Sequence, residues 1–305
     1  MSFKVKRAVR EQVWTKVALM GPSGSGKTYS ALRLATGMLE KLRELGQEQN
    51  DRILMVNTEA SRGLYYADEF EYDITKNFVA PYKPERYIEA IEYAIEEKYP
   101  ILILDSTSHE WMGEGGVLEL VEKAGGFPKG WASITPRHRK FIEKIADSPI
   151  HIIATMRGKD QYELDRDDEG HLSVQKLGIG PEQKKDTEYE FTVAFLLEQA
   201  TNTAQSTKDN THIFDGSLAM LLSEKEGRML IEWANSEKGF TVPVRRQHTK
   251  KEISEFAKKQ GLQPTDIPKA FEQAGTEWSG DPDKWDIMKD AITTYKESLE
   301  KIGEA

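Results

Sequence analysis

Residues 21–28 read Gly21-Pro22-Ser23-Gly24-Ser25-Gly26-Lys27-Thr28. The spacing G-x-x-x-x-G-K-[ST] is that of a phosphate-binding loop between a β-strand and an α-helix, with a glycine-rich strand–helix turn that matches by chance as the plainer alternative. Glycines in such a loop let main-chain N–H groups turn inward around phosphate oxygens, at the positive end of the following helix. Both flanks fit. Residues 16–20 form an apolar run suited to a strand, and residues 28–45 carry a helical repeat. In that context Lys27 is expected to reach the β- and γ-phosphates of ATP, and Thr28 to place its hydroxyl on Mg²⁺. The whole octet, Gly21 through Thr28, is the expected nucleotide cradle.

The rest of the N-terminal part repeats that alternation. Further strands are predicted at 53–57, 101–105 and 150–156, and their continuous apolar character suits strands covered on both faces. Helices are predicted at 84–99 and 136–146, each with proline in its first turn. Late strands at 188–197 and 211–214 and a helix at 225–234 follow. The expected fold class is α/β, a mainly parallel sheet flanked by helices. Residues 106–135 and 158–186 resist assignment, and long irregular segments in such a domain usually carry function. Composition shifts near Ser236, after which 249–260, 267–274 and 285–302 read as short amphipathic helices. The expected organisation is an ATPase domain at 1–235 and a helical appendage at 236–305.

Composition excludes several classes. Of 305 residues none is cysteine, which removes disulfide frameworks, thiolate metal sites and thiol nucleophiles and suits a reducing cytosol. The basic start, Met1 to Arg10, lacks the apolar core of a secretory signal. No apolar run approaches the roughly 20 residues of a spanning helix, so a cytoplasmic location without membrane contact is expected. With 42 basic and 51 acidic side chains the net charge is −9. Any nucleic-acid contact must therefore rest on local basic clusters.

Two further pieces of a nucleotide site are legible. Asp105 ends the apolar run Ile101-Leu102-Ile103-Leu104, where a carboxylate is expected to hold Mg²⁺ through water; an acidic strand-end turn is the plainer alternative. The next residue is Ser106, so the glutamate that many AAA+ and transporter ATPases carry directly after the aspartate is absent. Glu59, just past the 53–57 strand, is the candidate general base, with Glu110 and Glu114 as rivals and a solvated strand terminus as the plainer alternative. Thr155 or Arg157, ending the 150–156 strand, is a candidate γ-phosphate sensor or an ordinary strand-end residue.

Four passages resemble phage-type AAA ATPases with a RecA-like core, a group that includes Sak-type single-strand annealing proteins. They are Lys6-Arg7-Ala8 through the phosphate loop; Asn57-Thr58-Glu59; Asp105-Ser106-Thr107-Ser108-His109-Glu110-Trp111 with Gly113-Glu114-Gly115-Gly116; and Glu188-Tyr189-Glu190-Phe191-Thr192. The resemblance covers roughly residues 4–235. The Ser-His-Glu-Trp and Gly-Glu-Gly-Gly run is its most specific part, since no general phosphate-loop chemistry requires it. Asn57 stands where an aspartate is common. The resemblance implies a RecA-like P-loop NTPase, a homo-oligomer that hydrolyses ATP in phage DNA recombination or single-strand annealing. It also implies a lysine or arginine reaching into a neighbour's site, which by position is Lys208; a lysine in a solvated hairpin is the alternative. Single-stranded DNA and a phage or host recombination or replication protein are the implied partners.

For DNA contact, the N-terminus offers Lys4, Lys6, Arg7, Arg10 and Lys16. The 158–186 segment, where RecA-like proteins place a DNA-binding loop, offers Lys159, Arg166, Lys176, Lys184 and Lys185. Trp111, Phe127 and Trp131 are candidate stacking surfaces. Against it, Asp165, Asp167, Asp168 and Glu169 would repel phosphate, and the C-terminal region is acid-rich. Two other functions stay open: a nucleotide-switched interaction protein, such as a helicase loader or anti-defence factor, and a small-molecule P-loop kinase, for which an arginine-rich lid is missing.

Overall fold

The computed structural model describes residues 13–47, 50–166, 172–184, 187–236, 249–279 and 284–303. The chain divides into two compact units, Met1–Thr241 and Val242–Ala305. The first is α/β. Its strands are β1 (Lys16–Gly21), β2 (Ile53–Asn57), β3 (Asp73–Ile74), β4 (Ile101–Asp105), β5 (His151–Arg166), β6 (Leu172–Pro181), β7 (Val193–Leu197) and β8 (Ala204–Asp209). They form one eight-stranded sheet ordered β3-β2-β4-β5-β1-β7-β8, with β6 paired to the outer part of β5. All neighbours from β3 to β7 run parallel; β8 and β6 are antiparallel to β7 and β5. This is the RecA-like P-loop arrangement that the strand pattern implies.

The apolar runs are divided between two faces by the two-residue period of a strand. Val17 and Leu19, Ile53 and Met55, and Ile101 and Ile103 join a core with α1 (Lys27–Leu45) and α6 (Glu224–Ala234). Ala18 and Met20, Leu54 and Val56, and Leu102 and Leu104 point the other way, toward α2 (Pro84–Glu96) and α5 (Lys129–Asp147). Burial on both faces explains why these strands read as unbroken apolar segments.

Elsewhere the structure departs from the predicted elements. Residues 106–135 fold as α3 (Ser108–Met112), α4 (Val117–Lys123) and the start of α5. Pro136 therefore lies inside α5 and not in its first turn. The added turns are held by Trp131 and Ile134 packing on Val117 and Val121, so tertiary contact outweighs the proline's missing N–H. Residues 158–186 are largely a hairpin: β5 runs on to Arg166 and pairs with β6. Residues 187–190 form a 3₁₀ turn ahead of β7. Residues 211–214 are no strand; the Asp209 carboxylate accepts from the Thr211 and Phe214 N–H groups and curls the chain there.

The second unit packs α7 (Lys250–Lys259), α8 (Ile267–Gln273) and α9 (Trp285–Gly303) around Ile253, Ala257, Phe271, Met288 and Ile292. A capping box between Thr249 and Glu252 starts α7. Among the described residues no helix is long and apolar enough to cross a membrane.

Candidate nucleotide site

A cleft of about 490 Å³ opens where β1, β2 and β4 end and where β5 passes Arg157, the side of a parallel sheet on which α/β proteins bind ligands. Its walls come from the phosphate loop, from Glu59 after β2, from Asp105 and Ser106 at the end of β4, and from Arg157 in β5. The parallel register makes this inevitable. Asn57 pairs with Asp105 and Leu104 with Ala154, so residues just past these positions emerge at one level.

The loop leaves β1 at Gly21, where a Cβ would lie 2.6 Å from both the Leu197 carbonyl and the Ser25 hydroxyl. Only glycine fits that approach. Gly26 caps α1 at φ 81°, a left-handed geometry that side chains disfavour. The Lys27 ammonium folds back and donates to the carbonyls of Gly21 (2.8 Å) and Pro22 (2.7 Å). Burial lowers its pKa, while Asp105 and Glu59 raise it and Arg157 lowers it further. From β7 onward, Gln199 donates to the Ser23 carbonyl at 2.9 Å and braces the loop.

Asp105 is 3% exposed. One carboxylate oxygen accepts from the Thr28 hydroxyl at 2.8 Å and the other from the Thr155 hydroxyl. Burial raises its pKa; the bonds from Thr155 and Thr28 oppose this, Glu59 adds to it and Lys27 opposes it. A buried carboxylate so placed gains from a cation beside it.

Glu59 is forked by Arg157: Nε and Nη2 reach Oε1 at 3.1 and 2.7 Å, and Nη2 reaches Oε2 at 2.9 Å. Its main-chain N–H donates to the Asn57 side chain at 2.9 Å, so Asn57 shapes the turn that presents it. Arg62 stands 3.7 Å from Oε2.

These residues fit a nucleoside triphosphate with Mg²⁺. The Ser25 hydroxyl is buried in the loop without a hydrogen-bond partner. The Thr28 hydroxyl and Asp105 carboxylate already meet, which is the paired donor set expected at a phosphate-bound Mg²⁺. Among the described residues there is no group of three or more acidic, histidine or cysteine side chains that could hold a metal ion.

The structure thus brings together Gly21–Thr28, Glu59 and Asp105, and it leaves Lys208 elsewhere. Lys208 lies on the edge strand β8, opposite Ala194 near the start of β7 and so toward the other end of the sheet. Its ammonium donates to the carbonyls of Tyr189 and Phe191, and burial lowers its pKa. Glu110 is buried against His138 at 3.0 Å and Glu114 is exposed; neither lines the cleft. Trp111 packs on Trp131 and His138, while Phe127 is 86% exposed. Sequence reasoning missed Arg62, Tyr65 and Tyr66, which line the cleft from a 3₁₀ turn, Ala60–Leu64, and its continuation. No spacing rule marks such residues.

Strand order, loop and cleft define a P-loop nucleotide-binding protein. A family model described as an AAA domain matches residues 14–217, and the chain belongs to that family of P-loop ATPases. No curated protein sequence matches the chain.

Proposed function

We propose that the protein is a Mg²⁺-dependent ATPase of the phage-type, Sak-like group, acting as a homo-oligomer on single-stranded DNA in recombination or strand annealing. The observation that carries the hydrolytic part is the meeting of Lys27, Thr28, Asp105 and the Glu59–Arg157 pair in one cleft. Lys27 would leave the two carbonyls it now satisfies and neutralise the β- and γ-phosphates. Thr28 and Asp105 would hold Mg²⁺, which neutralises and polarises phosphate oxygens when bound. Glu59 would take a proton from water as the water oxygen bonds to the γ-phosphorus and the bond to the β-phosphate oxygen breaks, releasing ADP. Its Oε2 accepts one bond from Arg157 where Oε1 accepts two, so Oε2 has room for the water. Arg157, lining the same cleft, would meet charge developing on the γ-phosphate.

The DNA part rests on the resemblance and on one feature of the fold. The strand that brings Arg157 to the cleft runs on, from Gly158, into the β5–β6 hairpin, whose sequence includes Lys159, Arg166 and Lys176. Strand binding there would act on the cleft through β5. For Lys208, a role in a neighbour's site would require the ammonium to leave its two carbonyls.

The test is the ATPase rate with and without single-stranded DNA, across protein concentration, with Lys27→Ala as the inactive control. Stimulation by DNA, a rate that rises with assembly, and DNA affinity that drops steeply with salt are expected. Absence of DNA binding at low salt, with and without ATP, would refute the recombination reading and leave a nucleotide switch.

A further inference from the structure

The run Ser108-His109-Glu110-Trp111 follows Asp105 closely, yet phosphate chemistry has no use for its histidine. The structure supplies one. His109 lies under the Glu59–Arg157 pair, its side chain 17% exposed. Nδ1 is 2.7 Å from the Thr58 hydroxyl and 3.2 Å from the Ser106 hydroxyl. On the other side Nε2 stands 3.4 Å from Nη2 of Arg157, and the Tyr82 ring packs on the imidazole at 4.9 Å.

We propose that His109 is a positioning residue for ATP hydrolysis, a neutral imidazole that links the Thr58 and Ser106 hydroxyls to the Arg157 guanidinium and so holds Arg157 on Glu59. The inference rests on Glu59 being the base.

The chemistry of the partners selects the tautomer. A guanidinium has donors and no acceptor, so Nε2 must offer its lone pair to Arg157 and the proton must sit on Nδ1. The Thr58 hydroxyl suits that arrangement: it accepts from the Ser106 N–H at 2.9 Å and has the Asp105 carbonyl at 3.2 Å for its own proton. It therefore has a lone pair for Nδ1–H. Burial, and then the charge of Arg157, hold the imidazole below its ordinary pKa, with Glu59 opposing. The neighbouring Ser108 hydroxyl accepts the Arg157 main-chain N–H at 2.8 Å. Adjacent residues of α3 thus fix the backbone and the side chain of Arg157.

The experiment compares steady-state phosphate release by the full chain and by His109→Leu, His109→Gln, Arg157→Met, the His109→Leu/Arg157→Met double variant and Glu59→Gln. His109→Leu removes the acceptor facing Arg157, and His109→Gln supplies another. Misplaced groups at a reacting centre lower rates by up to about 100-fold, so His109→Leu is expected to lower kcat by about ten- to 100-fold with KM for ATP within about twofold. His109→Gln should recover most of the loss, and in the Arg157→Met background His109→Leu should have no further effect. Wild-type kcat in His109→Leu, equal losses in the Leu and Gln variants, or full additivity with Arg157→Met would overturn the proposal. Wild-type kcat in Glu59→Gln would instead overturn the reading on which it rests; loss there with normal His109→Leu would overturn this inference alone.

Discussion

Gly37 sits mid-way along α1, the helix that carries Lys27 and Thr28, and meets the Glu224 backbone of α6, while Gly227 of α6 meets the Leu34 backbone of α1. A Cβ on Gly37 would lie 1.9 Å from the Glu224 carbonyl oxygen; one on Gly227 would lie 2.1 Å from the Leu34 carbonyl oxygen. Both obstacles are main chain, so no side-chain rotation relieves them. Gly37→Ala would force the helices about 1.5 Å apart to reach ordinary contact. A gap of 0.5–1 Å already forfeits about a quarter to a half of a dispersion contact, and Met229 and Leu230 pack on Leu34 and Met38 in that core. Overpacking of this kind costs about 1–3 kcal/mol, and a main-chain clash belongs at the upper end. Alanine returns about 1 kcal/mol through helix propensity. The Arg33–Glu224 fork, at 2.6 Å and roughly a third exposed at each partner, adds under about 1 kcal/mol if it stretches. A net loss of about 2 kcal/mol should lower the melting temperature by roughly 4–8 °C. Nucleotide affinity should change little, because Lys27 lies about 15 Å along the helix. Gly227→Ala should behave alike, and the double variant should lose less than the sum, since one separation relieves both clashes. A Gly37→Ala protein as stable as wild type, or strictly additive losses, would refute the reasoning.

Glu59→Gln should lower kcat by about 10²–10⁴-fold and change stability by less than about 1 kcal/mol, because its Arg157 partner is 41% exposed; phosphate release and thermal melts check both. Asp105→Asn should raise the melting temperature at pH 7 without nucleotide or metal. Burial lifts the Asp105 pKa above its unfolded value, so the stability it contributes is full below the ordinary carboxylate range and lost as pH rises through the folded value. The variant's advantage should therefore shrink toward about pH 4, and a melt series across pH reads it. Lys208→Ala should bind ATP normally and lose the rise of ATPase rate with protein concentration; an unchanged rate profile would remove Lys208 from a neighbour's site.

What could be read from the sequence was local or continuous. The Gly21–Thr28 octet is a contiguous motif, and β1, β2 and β4 are apolar runs that end at Gly21, Asn57 and Asp105, within two residues of side chains that line the cleft. Asn57–Glu59 and Asp105 could be marked because each adjoins such a run. The Glu59–Arg157 fork could not. Its partners are 98 residues apart, and they meet only because β2, β4 and β5 lie side by side in parallel register. The hairpin was hidden for a different reason: residues 158–186 are charged and carry no clean two-residue period, so pairing between backbones had no side-chain signature. Pro136 misled because a proline marks a helix start only when nothing upstream packs, and Trp131 and Ile134 do.

The segment after Asp105 gains its meaning from the same geometry. Ser108 and His109 hold Arg157, while Glu110 accepts from Gln183 at 3.4 Å and pairs with His138. Gln183 also donates to the Thr107 carbonyl at 3.2 Å. Arg157 and Gln183 are the two roots of the β5–β6 hairpin, and the Glu182 N–H joins them by donating to the Arg157 carbonyl at 2.6 Å. One short helix turn therefore grips both roots and, through Arg157, the carboxylate of Glu59. Any displacement of the hairpin at its roots would strain these bonds, and of the two roots Arg157 lines the cleft. Residues with no part in phosphate chemistry thus tie the cleft to the β5–β6 hairpin.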